Sequence, residues 1–583
     1  MREPRPRPCY FGPDDRPLFG MLHAPCEGWR GTRVLLCPPL GYEALFAYMT
    51  LGELAESIAR AASAVVMTFD YDGTGDSAGS DTDEDRLALT LESIHHALDH
   101  LKSLSDTPGP LIVVGLRAGA LLAAQAASTR DDVTAIALWA PCASGKLFLR
   151  EQRVFSQLSN TNPAAPAGLQ RDWGARGFEA NGFVFTDAMV AALEQLSLRT
   201  LRRPPSPRIL FVQRTDIPSE FKPPESWLGA QIEYTAARGY SEMMDPPWLW
   251  RRPDEAIDKL TEWAVRVAAP AEGTPSQLRD GDRDAAVLPG SIEERPVWFG
   301  PDERLFGVLT RPTERPAARV ALMVTSTFGY RTGSNRLNVV LARRLAAQGI
   351  ASFRIDIRGV GDSRQPKGPV PAPPYDVSAV DDAVHAIRYL KDVGFGAFSL
   401  VGICAGAFLC WQAALRVDDP VQAVLINVES FQYVFVDREH HLRWVAGIGD
   451  NNRRPPRDAG VAHLVRWALK RTRRAAEIAT DIALASVPVK LRPAGIPAQL
   501  AGLRRRGARV TLVFSDKKSG FKLYRRETAW HRFWLEWKRV VSLRFIEGPD
   551  HSFTPRWALD LLADTVCDEL GRHSMGDAFT SGR

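Results

Sequence analysis

The chain states its plan twice. YFGPDDRPLFGML, which begins at Tyr10, returns as WFGPDERLFGVL at Trp298, an offset of 298 − 10 = 288. Asp70 in VVMTFDYDGTGDSAG matches Asp356 in IASFRIDIRGVGDSR, 286 residues on, and the pentapeptides GLRAG (115–119) and GICAG (402–406) are 404 − 117 = 287 apart. An interval this steady and this long means two homologous domains, not the short units of a solenoid. A chain of 583 residues also exceeds what one ordinary core serves. The expected boundaries are a first domain over 1–267, a linker over 268–291, a second domain over 292–573 and a tail over 574–583. The linker, AAPAEGTPSQLRDGDRDAAVLPGS, is rich in Ala, Gly and Pro and carries no hydrophobic period.

Both halves run through the same elements. A short apolar strand (RVLLCPP, RVALMVTS) leads through a loop to an amphipathic helix (LGELAESIARAA, LNVVLARRLAAQG). A strand ending in Asp, a glycine loop and a second helix follow, then a strand, the pentapeptide and a further helix. Alternation of this kind predicts an α/β fold with a mostly parallel sheet covered on both faces. Runs such as AIALWA and AVLIN are apolar at nearly every position, which suits central strands buried on both sides.

The pentapeptides fall where a strand turns sharply into a helix, the position of a G-x-S-x-G nucleophile elbow. Gly402 and Gly406 leave space for the crowded turn, and the central residue points up at the helix N-terminus, where free N–H groups favour an anion. Cys404 is therefore the candidate nucleophile of the second half. Its partners follow in order: Asp516 ends the strand of ARVTLVFSD, and His551 sits in the loop of LRFIEGPDHSF. His551 would accept the thiol proton and Asp516 would orient it, with Glu429 in INVES as the alternative acid. The oxyanion hole falls to the amides of Ala405 and, in TSTFGYRTGSNR, Phe328. Asp356 and its glycine loop are read as holding a turn rather than doing chemistry.

The first half keeps the turn and loses the chemistry. Aligning RGYSEMMDPPW with EGPDHSFTPRW sets Gly239 on Gly548, Trp248 on Trp557 and Glu242 on His551. Arg117 then replaces the nucleophile and Glu242 the base, while Asp216 still matches Asp516. Arginine stays protonated and cannot attack a carbonyl. The expectation is a retired site in which Arg117 and Glu242 pair with each other in the space that nucleophile and base once shared.

On these motifs, both halves resemble α/β-hydrolases over nearly the whole chain outside the linker, so the fold expected is two tandem α/β-hydrolase domains. More narrowly, they look like the two hydrolases associated with the exosortase A system, here in one chain. The second half resembles the cysteine-elbow type, which carries a YRxGS motif, here Tyr330, Arg331, Gly333 and Ser334; Ala405 stands where that type usually has aspartate. The first half, with GLRAGALLAAQAA and LWAPCASGKLFLRE, resembles the companion type with arginine at the elbow. The resemblance implies acyl chemistry and does not define the substrate.

A cysteine nucleophile passes through a thioester, so an acyl thioester donor exchanges nearly isoenergetically. The second half has room for a cap over its site at about 430–508, and that segment is basic, with Arg471, Arg473, Arg474, Arg504, Arg505 and Arg506 prominent. Such a surface suits either a solvated helix face or an acidic acyl carrier protein that delivers a thioester. The net charge of +5 and a pI near 8.8 do not themselves call for nucleic acid, and no nucleic-acid motif accompanies the charge. No cofactor and no metal site are expected. Seven cysteines without paired spacing, no secretory leader and no membrane-length apolar run point to the cytoplasm. Two classes of function stand: an acyltransferase or thioesterase run by the second half, or a non-catalytic binding or scaffold protein with both pockets retired.

Overall fold

The computed structural model describes residues 5–25, 28–159, 166, 168–169, 172–217, 221–245, 250–268, 278–279, 283–325, 329–363, 377–431, 495–515, 519–528 and 541–571. The first half contributes strands β1 (Arg7–Phe11), β2 (Leu18–His23), β3 (Arg33–Cys37), β4 (Val65–Phe69), β5 (Leu111–Leu116), β6 (Ala135–Trp139), a hairpin of β7 (Phe178–Ala180) and β8 (Phe183–Phe185), then β9 (Arg208–Arg214) and β10 (Gln231–Ala237). Apart from the hairpin they form one sheet in the order β1-β2-β4-β3-β5-β6-β9-β10. The second half contributes β11 (Ala286–Leu288), β12 (Ile292–Phe299), β13 (Leu305–Pro312), β14 (Arg319–Val324), β15 (Ala351–Ile355), β16 (Ala397–Ile403), β17 (Val421–Ile426), β18 (Arg509–Phe514) and β19 (Val541–Phe545). Their order, β11-β12-β13-β15-β14-β16-β17-β18-β19, repeats the first sheet with one strand added at its edge. In each sheet the opening strands pair antiparallel and the rest run parallel.

Helices cover both faces, which is why the central strands can be apolar throughout. Tyr42–Ala61 and Asp254–Val267 close one face of the first sheet, and Arg86–Ser103 with Ala118–Ala127 close the other. In the second half Leu337–Ala347 and Arg556–Gly571 lie opposite Ser378–Asp392 and Ala405–Arg416. No described helix is long and apolar enough to cross a membrane.

The halves meet through equivalent residues. Tyr10, Phe19 and Met21 pack with Phe306, Val308 and the partly buried Trp298, the same three repeat positions from each side. An interface made by one patch against its own copy is that of a two-fold dimer. Near it lies Arg331, fully buried, whose guanidinium donates to Asp76 at 2.8 Å, Asp362 at 2.7 Å and Asp356 at 3.0 Å. Tyr48 of the first half donates its hydroxyl to Asp362 at 2.6 Å and stacks on Tyr330 with ring centres 3.9 Å apart. The YRxGS arginine is thus a junction residue binding the two halves.

Candidate active site

Each elbow is strained in the same way. Cys404 has φ 53° and ψ −117°, and Arg117 has φ 57° and ψ −122°, a region that residues with a side chain rarely adopt. A Cβ on Gly402 would run into the backbone of Gly406, and one on Gly406 would strike the Val324 carbonyl, so both positions require glycine. The turn is tied to the sheet by the Cys404 N–H, which donates to Ile426 O at 2.9 Å; Arg117 does the same to Trp139 O. Ala405 opens the helix, where an amide has no acceptor one turn back and is available to an oxyanion.

Around Cys404 the fold brings three reacting atoms together. Cys404 Sγ, a His551 ring nitrogen and a Glu429 carboxylate oxygen all lie within 4.8 Å of one another. His551 Nδ1 stands 3.6 Å from Glu429 Oε1, whose side chain is nearly buried. Burial works against charge on the imidazole. Cys404 and then Glu429 and Asp550 outweigh it, and the pKa of His551 rises to about 9. At neutral pH His551 therefore carries its proton beside the sulfur of Cys404, the arrangement a thiolate nucleophile needs. The same three atoms form a set that a soft divalent cation could use.

Of the sequence candidates, Glu429 is the acid seen next to His551. Asp516 and Phe328 lie outside the described residues, as do Arg471, Arg473 and Arg474 and most of the expected cap. Arg504 and Arg505 are exposed on the helix Ile496–Arg505. Arg506 is occupied: it donates to the Ala414 carbonyl at 3.2 Å and to that of Val417, closing the C-terminal end of the elbow helix.

Sequence reasoning missed Asn427. It is buried with φ 45°, donates to Ser515 Oγ at 2.9 Å and to the His551 carbonyl at 2.6 Å, and accepts from Ser515 N at 2.8 Å. One side chain thus fixes both the His551 loop and the end of β18. Its counterpart in the first half is Ala140, with φ 46°, whose methyl side chain can make no such link. The repeat offset of 287 was the signal that could have found it.

The first-half site departs from expectation at its centre. Arg117 does not pair with Glu242. It donates to Glu43 at 3.2 Å and to Glu151, and its guanidinium lies 5.8 Å from the Tyr240 ring centre. Glu242 accepts from its neighbour Ser241 instead, and Asp216 is held by Arg214. The physical reason is location. The helix that begins at Tyr42 delivers Glu43 into the buried space at the elbow, 5 % exposed, whereas Glu242 lies half-buried on the short helix Tyr240–Met243. Burial pushes the Glu43 carboxyl up from its ordinary range, with Arg117 pulling the other way.

Residues 332–468 match a family model described as the alpha/beta hydrolase fold. With the strand order of the two sheets, this gives the fold as that of α/β-hydrolases. Among solved structures the chain is similar to DcsB in complex with its substrate analogue, at 17% identity over 46% of this chain and 99% of that one, with a TM-score of 0.29. It is similar to Est1E from Butyrivibrio proteoclasticus with bound ferulic acid (16%, 44% and 96%, TM-score 0.29) and to a proline iminopeptidase from Mycobacterium smegmatis (15%, 45% and 98%, TM-score 0.29). No curated protein matches the chain.

Proposed function

We propose that the chain is an acyltransferase or thioesterase that works through an acyl thioester on Cys404. The observation that carries this reading is the convergence of Cys404, His551 and Glu429 within 4.8 Å at a strained strand-to-helix elbow. In the proposed reaction the Cys404 thiolate attacks a thioester carbonyl, and the developing oxyanion takes the Ala405 N–H. The departing thiolate receives the proton held on His551. His551, then neutral, removes the proton of an incoming alcohol, amine or water, which attacks the acyl-Cys404 carbonyl and frees the enzyme. Glu429 orients the imidazole, the role for which Asp516 is the other candidate. The donor is an acyl group on an acyl carrier protein or coenzyme A, with exposed Arg504 and Arg505 available to an acidic carrier. The first half is a pseudo-hydrolase, and the pairing of a cysteine elbow with an arginine elbow fits the exosortase-associated arrangement. Incubation with a panel of acyl thioesters, followed by mass spectrometry, should place an adduct on the peptide containing GICAG and none in Cys404→Ala. Adducts on Cys410 alone, or none from any donor, would favour the alternative of a non-catalytic scaffold.

A further inference from the structure

A cavity of about 90 Å³ lies between the two halves, apart from the Cys404 site. Met21, Leu45 and Phe69 line it from the first half, and Tyr330 and Arg336 from the second. At about 10–15 Å³ for each water-sized place, it holds roughly six to nine heavy atoms. Asp70 also lines it and is 9 % exposed.

Asp70 and Asp356 are repeat equivalents with different fates. Asp356 takes the backbone N–H and the guanidinium of Arg331 as well as the Asp362 N–H. Asp70 keeps only the last of these in kind, accepting from Asp76 N at 2.9 Å on Oδ2. The residue that corresponds to Arg331 is Glu43, by the match of GYE (41–43) to GYR (329–331), and Glu43 turns away to Arg117. Oδ1 of Asp70 therefore has no donor among the described residues. Other charges on the cavity wall are matched: Asp81 by Arg556, Asp362 by Arg331 and Tyr48, and Arg336 by the carbonyls of Gly75, Ser77 and Gly79.

We propose that this cavity binds a small organic cation, a protonated amine or guanidine with an apolar tail of a few carbons, whose head donates to Asp70 and whose tail packs on Met21, Leu45 and Phe69. The head supplies to Asp70 what Arg331 supplies to Asp356. Burial, and next the charge of Asp76, push the Asp70 carboxyl up to about 7, with Arg331 and Arg336 pulling the other way.

Isothermal titration of the full chain with n-hexylamine, n-hexanol and hexanoate, three probes of similar size, tests it. Hexylamine should bind one to one and at least about tenfold tighter than hexanol, with hexanoate silent. Asp70→Asn keeps an acceptor for the Asp76 N–H and should lose most of the hexylamine affinity. Leu45→Trp fills the cavity and should abolish binding of every probe. Equal binding of hexylamine and hexanoate, no binding of hexylamine, or hexylamine binding unchanged in Leu45→Trp would overturn the proposal. Leu45 lies outside the catalytic site, so turnover at the Cys404 centre is measured separately and the outcome of the titration does not depend on it.

Discussion

Replacing Arg117 by Met should destabilise the first half by about 3–5 kcal/mol, the usual result of leaving one member of a buried ion pair alone. The magnitude rests on Glu43. Its side chain and that of Arg117 are 6% and 7% exposed, and Arg117 is the cation paired with it. Glu151 is 40% exposed, and its share should fall in the range of about 0–1 kcal/mol found for surface pairs. The loss should depend on pH in a defined direction. Burial already raises the folded-state pKa of Glu43, and removing Arg117 raises it further. A carboxyl raised on folding stabilises fully below its unfolded pKa and loses that contribution as pH rises through the folded value. The defect should therefore shrink toward pH 5 and grow toward pH 8, by at most about 1.4 kcal/mol per pH unit. Urea unfolding followed by tryptophan fluorescence at pH 5, 6.5 and 8 measures it. The double variant Arg117→Met, Glu43→Gln should recover most of the loss at pH 8. A loss under about 1 kcal/mol, or one that neither varies with pH nor responds to Glu43→Gln, would refute the assignment of Glu43 as the stranded charge.

If Glu429 orients His551, Glu429→Gln should lower kcat/KM by about 10²–10⁴-fold and Asp516→Asn by less than tenfold; the reverse ranking transfers the role to Asp516. His551 should titrate near pH 9 by NMR and fall toward its ordinary value in Cys404→Ala, because the sulfur is the largest influence raising it. The stability that this interaction contributes is complete below about pH 6.5 and disappears as pH rises through 9. Zinc should inhibit the reaction and protect Cys404 from alkylation, with protection lost in His551→Ala; unimpeded alkylation at saturating zinc would show that the three atoms do not act as ligands. Asn427→Ala should lower kcat with little change in KM, and an unchanged kcat would remove it from the positioning role.

The parts of this protein that were readable in sequence are those set by short-range pattern. The 287-residue repeat, apolar strands and glycine-flanked pentapeptides point to two mostly parallel sheets and place Cys404 at an elbow, because strand burial and a crowded turn each leave a local mark. His551 was legible from its loop at the end of the last strand. The identity of Arg117's partner was not. Alignment with the second half nominated Glu242, but a buried cation is met by whichever carboxylate the tertiary fold delivers, and Glu43 arrives from 74 residues earlier. Asn427 was hidden for a related reason: its role is to join β17, β18 and the His551 loop, which converge only in space. Arg506 shows the limit of reading charge runs, since one member of the arginine triplet faces helix carbonyls rather than solvent.

Arg331 bears on why the two halves differ at all. It sits between Asp76 and Asp362, residues that the repeat makes equivalent, so it occupies the approximate symmetry axis of the pair. An axis has room for one guanidinium. In a dimer of identical subunits both copies would send an arginine to the same carboxylates, and each would repel the other. A covalent chain escapes that conflict by letting the two positions diverge, arginine at 331 and glutamate at 43. The glutamate released from the axis is the one that fills the first elbow and holds Arg117. Joining the halves asymmetrically and filling the first elbow with an ion pair are thus two results of one difference at a single repeat position.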